Sequence, residues 1–145
     1  MALAVAIAAS SAIAHADGGP FGLGIILGQP TGITGEYRLG ARNAIDGAVG
    51  LDVINNSHTV YIHGDFLFLF GNLISGGDVG LEPYLGPGVW VTGNGFSLGV
   101  RVPFGLSLDF HRAPLQLFGE VVPGLRLVHD VHLGIGGAIG FRYYF

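Results

Sequence analysis

The stretch HLGIGGAIGFRYYF, residues 132–145, alternates between two kinds of residue throughout and ends on an aromatic side chain. One parity carries the large apolar residues, which are Leu133, Ile135, Ile139, Phe141, Tyr143 and Phe145, with Gly137 among them. The other parity is small or polar and consists of His132, Gly134, Gly136, Ala138, Gly140, Arg142 and Tyr144. Because successive side chains of a strand point to opposite faces, this pattern predicts a β-strand with one apolar face. Soluble strands usually have about 5 or 6 residues, whereas a tilted membrane-crossing strand needs about 9 to 11, so the length favours a membrane-crossing strand.

Seven further stretches with strand-like composition precede this one and are separated by turn-forming residues. The eight predicted strands are 21–28, 32–39, 44–53, 59–70, 81–91, 96–110, 115–128 and 132–145. The breaks between them are short, at 29–31, 40–43, 54–58, 92–95, 111–114 and 129–131, and only the break at 71–80 is longer. An even number of sequential strands is typical of an antiparallel up-and-down barrel. The predicted fold is therefore all-β, an eight-stranded transmembrane β-barrel.

The same alternation places the charged side chains on one surface. The residues opposite the apolar parity form a predicted polar network in the lumen, and they are Glu36, Arg38, Asp46, His63, Asp65, Glu82, Arg101, Glu120 and Arg142. A soluble barrel has its polar face outside, and a membrane barrel has its apolar face outside. The distribution of charges therefore predicts an outer surface that faces lipid.

Charges inside such a barrel must be paired, because an unpaired buried charge is strongly destabilising. Pairing through the turn at 40–43 is expected to bring Arg38 opposite Asp46, and pairing through the turn at 129–131 sets Glu120 diagonal to Arg142. Arg101 is expected to join Glu120 or Asp65. Glycines on the inward parity leave room for the Arg and Tyr side chains. These expectations together predict a filled and cross-linked lumen.

The start of the chain has the features of a secretory signal peptide. Residues 2–14 are apolar, and Ala14, His15 and Ala16 fit the small-x-small cleavage pattern before Asp17. No Lys or Arg precedes the apolar stretch, which departs from the usual pattern, and a buried N-terminal helix is the alternative. The predicted organisation is a signal peptide at 1–16 followed by a single barrel domain at 17–145.

Composition excludes several other classes of protein. The chain is 50% hydrophobic, yet no run of about 18 apolar residues is present, which argues against transmembrane helices. The net charge of -4 and the absence of Lys leave no basic surface for nucleic acid. Because the chain contains no Cys, disulfides and thiolate metal sites are also excluded.

Two groups of residues suggest chemistry, and both have a simpler explanation. His63 and Asp65 lie two residues apart on the inward parity and would supply two members of a hydrolytic triad with Ser97 or Ser107. An internal polar network is the favoured interpretation of these residues. His129 and His132 flank a turn without an evident third ligand, which favours a loop over a metal site. We therefore expect no catalytic residues, no metal and no cofactor.

The chain resembles the small OmpA/OmpX-type eight-stranded outer-membrane barrels. The resemblance rests on FGLGIILGQPTGITGEYRL at 21–39 and on the terminal strand that ends at Phe145. It implies a location in the outer membrane, contact with its lipid, and recognition of Phe145 by the barrel-assembly machinery as a sorting signal. With Phe145 on the periplasmic side, the breaks at 29–31, 54–58, 92–95 and 129–131 become extracellular loops. These loops are short, which argues against an adhesin or a receptor.

The function expected from the sequence is a structural or envelope role without enzymatic activity. A narrow porin-like channel is the first alternative. A lipid-modifying barrel enzyme and a secreted, lipocalin-like ligand-binding barrel are further alternatives. The sequence leaves the oligomeric state open.

Overall fold

The computed structural model describes residues 19–52, 59–77, 79–93, 96–110, 112–128 and 130–145. Within these residues the chain is all-β, and every strand pairing is antiparallel. The strands are β1 (Phe21–Gly28), β2 (Thr31–Arg38), β3 (Asn43–Asp52), β4 (Thr59–Leu69), β5 (Ile74–Gly76), β6 (Val79–Leu85), β7 (Gly88–Thr92), β8 (Ser97–Arg101), β9 (Phe104–Phe110), β10 (Leu115–Arg126) and β11 (His132–Tyr144). The described residues contain no helix of the length and apolarity that crossing a membrane requires.

The strands close into a ring with eight positions. Strands β1 to β4 pair in sequence order, β6 and β7 share the fifth position, β8 and β9 share the sixth, and β10 and β11 complete the set. The last strand pairs with the first, with Gly22 opposite Tyr144 and Gly28 opposite Ala138. The predicted all-β class and the order of eight antiparallel strands are confirmed.

Two of the predicted strands were wrong as continuous elements. The predicted strand 81–91 is divided at Gly86 and Pro87, and the predicted strand 96–110 is divided at Val102 and Pro103. Pro87 and Pro103 have no N–H to donate, so each break lacks one hydrogen bond to a neighbouring strand, although the Pro87 carbonyl still accepts from the Phe66 N–H at 2.8 Å. The interruptions face each other, because Leu85 pairs with Phe104 on one side and Gly88 pairs with Arg101 on the other.

The predicted loop at 71–80 is also corrected, because it contains a strand. β5 pairs with the beginning of β6, and Leu73 donates its N–H to the Leu81 carbonyl at 2.7 Å. Gly77 has a φ of 59° in the intervening turn, a conformation that favours glycine. The predicted signal peptide at 1–16, the break at 54–58 and His129 lie outside the described residues.

The two faces of the ring differ in the way that the alternation predicted. In β4, the outward side chains of Val60, Ile62, Phe66 and Phe68 are exposed, and those between them are buried or half-buried. Large apolar side chains are exposed around the whole ring, whereas Glu36, Asp46, Asp65, Arg101 and Arg142 are buried inside it. The charged interior is therefore the site that needs explanation.

Candidate functional site

The Arg38 guanidinium lies at the end of the ring that carries Phe21 and Tyr144, here named the terminal end. It contacts Glu36 and Glu82 at 3.3 Å and Asp109 at 3.7 Å. The predicted pairing of Arg38 opposite Asp46 was wrong: Arg38 pairs with Ala44, and Glu36 pairs with Asp46. The reason is the turn, in which Leu39 donates its N–H to the Asn43 carbonyl and thereby shifts the register.

Arg142 occupies the next level of the lumen and is 2% exposed. Its guanidinium donates to Thr34 Oγ1 at 2.9 Å, to Asp46 Oδ2 at 3.0 Å and to Gln116 Oε1 at 3.0 Å. Its central carbon also lies 4.1 Å from the centroid of the Phe118 ring, within range of a cation–π interaction.

The predicted diagonal between Glu120 and Arg142 is not present. Arg142 lies opposite Gln116, whereas Glu120 lies opposite Ala138, which is four residues before Arg142 in β11. Glu36, on the second strand from β11 in the ring, provides a carboxylate at 3.4 Å instead. Strand pairing alone did not identify this partner, because β1 lies between the two strands.

Arg101 lies further from the terminal end and forms ion pairs with Asp65 and Glu120. Its Nη2 donates to Glu120 Oε2 at 2.8 Å, and its Nε lies 3.0 Å from Asp65 Oδ1. The expectation that Arg101 joins Glu120 or Asp65 is confirmed, and the structure shows it in contact with both. The Tyr84 hydroxyl donates to the second oxygen of Glu120 at 2.8 Å, which fixes that carboxylate from two sides.

His63 lies beside two carboxyl groups on neighbouring strands. Asp46 and Asp65 are directly opposite each other in the pairing of β3 with β4, and His63 is two residues before Asp65. The His63 Nδ1 lies 3.1 Å from Asp65 Oδ2, but neither nitrogen of the ring has a hydrogen bond to a described residue. Asp46 Oδ1 also lacks a hydrogen-bond partner among these residues.

The ion pairs of the lumen contain more acids than bases. In the part of the chain that the structure describes, three guanidiniums, those of Arg38, Arg101 and Arg142, make ion pairs with six carboxyl groups. The six are Glu36, Asp46, Asp65, Glu82, Asp109 and Glu120. All nine residues of the predicted lumen network take part in these contacts or in that of His63 with Asp65, and Asp109, which was not among the nine, contacts Arg38.

Aromatic rings fill much of the remaining space by lying over glycines on the neighbouring strand. The four pairs are Tyr144 over Gly22, Trp90 over Gly99, Tyr84 over Gly105 and Phe118 over Gly140. A Cβ atom on Gly105 would lie 2.2 Å from Cζ of Tyr84, which is closer than real atoms approach. The expectation that inward glycines leave room for large side chains is confirmed at these positions.

A polar cavity of about 540 Å³ opens at the end of the ring opposite the terminal end, and we name it the vestibule. Tyr61 and Trp90 stack in its wall with their ring centroids 5.7 Å apart. Arg101 forms part of its inner boundary, and His132 lies near its mouth. Tyr61 and Trp90 were not predicted as lining residues, although both lie on the inward parity of their strands.

The triad hypothesis lacks its nucleophile contact. The Ser107 hydroxyl donates to the Glu82 carbonyl at 3.3 Å, and Ser97 lines the vestibule. Since no described residue is hydrogen-bonded to a nitrogen of His63, neither serine is positioned for proton transfer to this ring. The cluster of His63 with Asp46 and Asp65 is present, but the arrangement identifies no reaction.

Phe145 lies on the outer surface of the terminal end and is 62% exposed. Its N–H donates to the Phe21 carbonyl at 2.8 Å, and its ring lies 6.4 Å from that of Phe21.

Comparisons of the chain with family models, with curated proteins and with solved structures give no match.

Proposed function

We propose that the protein is an integral outer-membrane β-barrel with a closed lumen and a structural role in the cell envelope. The observation that carries the proposal is the inverted distribution of side chains, with apolar residues exposed around the ring and ion pairs buried within it. In water this arrangement would leave a large apolar surface exposed, whereas soluble monomers rarely expose contiguous apolar patches beyond a few hundred Å². Lipid is the environment that suits such an exterior.

The dimensions of the strands support the same proposal. β4, β10 and β11 have 11, 12 and 13 residues, and a tilted strand needs about 9 to 11 to cross a bilayer. Aromatic side chains collect on the outside of the terminal end, where Phe21, Phe68, Tyr143 and Phe145 are exposed. Membrane barrels carry such aromatic bands where the apolar surface meets the interface.

A structural role is supported by the way in which the lumen is filled. Arg142, Arg101 and Gln116 are each at most 2% exposed, and rings lie over the inward glycines. A barrel of eight strands has an interior just wide enough for its own side chains. The charged groups therefore cross-link neighbouring strands and leave little space for a continuous aqueous path.

The test of the membrane proposal is fractionation of cells that express the full chain, combined with gel electrophoresis with and without boiling. We expect the protein in the outer-membrane fraction, cleavage near Asp17, and a folded form that migrates differently from the boiled form. A soluble protein with an intact N-terminus would contradict the proposal. In this proposal, the barrel-assembly machinery inserts the protein into the membrane and recognises Phe145 as the sorting signal.

A narrow channel is the second candidate, and the vestibule favours it because a polar cavity of about 540 Å³ already enters the ring from one end. The ion pairs of Arg101, Arg142 and Arg38 would then separate the vestibule from the terminal end. Recordings in planar bilayers distinguish the candidates. A closed structural barrel gives no steady conductance, whereas large and stable conductance of the wild-type protein would replace the structural role with the channel.

A further inference from the structure

Asp46, His63 and Asp65 form a cluster that the ion pairs of the lumen do not fully explain. Asp46, His63 and Asp65 are 4%, 5% and 3% exposed, respectively. One donor atom of each lies within 4.8 Å of the donor atoms of the other two. Asp46 and Asp65 face each other across β3 and β4, and like charges at directly opposed positions repel. The fold therefore holds together two carboxyl groups that destabilise each other unless a cation or a shared proton lies between them.

Donor atoms in this cluster lack hydrogen bonds. Asp46 directs Oδ2 to Arg142, but its Oδ1 has no partner among the described residues. The contacts of Asp65 with His63 and Arg101 are 3.1 and 3.0 Å long, yet they do not have hydrogen-bond geometry. Buried polar atoms in native proteins nearly always have a partner. A shared cation would suit this cluster, because it would accept lone pairs from the two carboxylates and from the imidazole of His63.

The excess of acids in the lumen points in the same direction. Arg101 and Arg142 contribute two positive charges around the cluster, and they are shared among Asp46, Asp65, Glu36 and Glu120. Glu36 is also contacted by Arg38, but the lumen carboxylates still outnumber the guanidiniums that contact them, so a divalent cation would offset part of the excess negative charge. It would also link β3 to β4 through side chains, in addition to the backbone pairing.

We propose that Asp46, His63 and Asp65 bind one divalent transition-metal ion, for which Zn²⁺ is the best match. Zn²⁺ accepts imidazole nitrogen and carboxylate oxygen at about 2.0 to 2.2 Å, and three protein ligands with one open position are an established arrangement. Mg²⁺ and Ca²⁺ prefer oxygen ligands only, so the imidazole disfavours them. The donor atoms lie within 4.8 Å of one another, so the three side chains would have to turn towards the ion to reach these distances. The proposal does not depend on the membrane location.

The test uses the full chain refolded in detergent, once with Zn²⁺ and once with a chelator. We expect one Zn²⁺ per chain by elemental analysis, and a higher midpoint of thermal unfolding with the metal. His63→Gln, Asp46→Asn and Asp65→Asn should each weaken Zn²⁺ binding by about 100-fold or more, since even loss of a residue behind a ligand costs about 10- to 100-fold. His132→Gln is the matched control, because this exposed histidine lies outside the cluster and should leave the affinity within about twofold.

A spectroscopic measurement keeps the test independent of folding defects. Co²⁺ in place of Zn²⁺ should give visible absorption bands that His63→Gln abolishes and His132→Gln retains, with circular dichroism showing that both variants are folded. Failure of the wild type to bind either metal would overturn the proposal, as would stoichiometric binding that survives in all three cluster variants. A proton shared by Asp46 and Asp65 would then be the explanation of the cluster.

Discussion

Arg101 is the residue on which the charges near the middle of the ring depend. It is 2% exposed and lies between Asp65 and Glu120, so both carboxylates form an ion pair with the same guanidinium. Removing one member of a buried ion pair leaves the other member as an uncompensated charge, which is far more destabilising than replacing both. The pair is therefore suited to a double-mutant cycle.

We expect Glu120→Ala and Arg101→Ala each to destabilise the protein by about 3 to 5 kcal/mol. The double variant should lose less than the sum of the two single losses, because neither side chain remains to be left unpaired. Unfolding by denaturant in detergent micelles gives the free energies for all four proteins. Strictly additive losses would contradict a direct interaction between Arg101 and Glu120.

At the scale of single residues, the sequence predicted which side chains face inward but not all of their partners. Parity alone placed Asp46 and Arg142 in the lumen. Their contact joins β3 to β11 across the intervening β1 and β2, and only the three-dimensional ring brings the two together. Arg101 with Glu120 was predictable because the strands that carry them pair directly. The atoms of the cluster that lack hydrogen bonds were not predictable. Parity gives the face on which a side chain lies, but not its rotamer or its hydrogen-bond partners.

At the scale of elements, strand type and order followed from alternation, while the interruptions depended on single prolines. Pro87 and Pro103 divide the fifth and sixth positions of the ring, although the apolar pattern runs on through both. The pattern of residue types records which face is buried and is not sensitive to a missing N–H. The short strand β5 was missed because three residues are too few to show a period.

The outward parity of β10 provides a test of lipid contact at this scale. Val121 is 54% exposed and lies near the middle of the ring, whereas Leu115 begins the strand at the terminal end. In a membrane barrel, an outward Arg costs about 2 to 4 kcal/mol at the midplane and about 0 to 1 kcal/mol near the interface. We expect this difference between Val121→Arg and Leu115→Arg when folding into lipid vesicles is measured. Equal and small effects would indicate that the outer surface faces water.

For the whole molecule, a substitution of Phe145 tests assembly in the membrane separately from the stability of the fold. Its ring is on the outer surface and its N–H pairs with the Phe21 carbonyl, a bond that substitution by Ala retains. If Phe145 is the sorting signal, Phe145→Ala should reduce the amount of assembled protein in the membrane while leaving refolding in detergent almost unchanged. Phe96→Ala, which removes another exposed aromatic ring at the opposite end, serves as the control. Normal membrane levels of Phe145→Ala would refute the assignment.

The pairing of β1 with β11 makes completion of the ring a late event. Position 22 meets position 144, so the N-terminal strand gains its second neighbour only after the final strand has left the ribosome. Until then β1 and β10 each present an unpaired edge, whose backbone N–H and C=O groups have no neighbouring strand to bond to. A chain that stopped before His132 would leave both of these edges open. The ring can therefore close only once β11 has been synthesised, and until then each copy exposes two sheet edges to which another chain can pair.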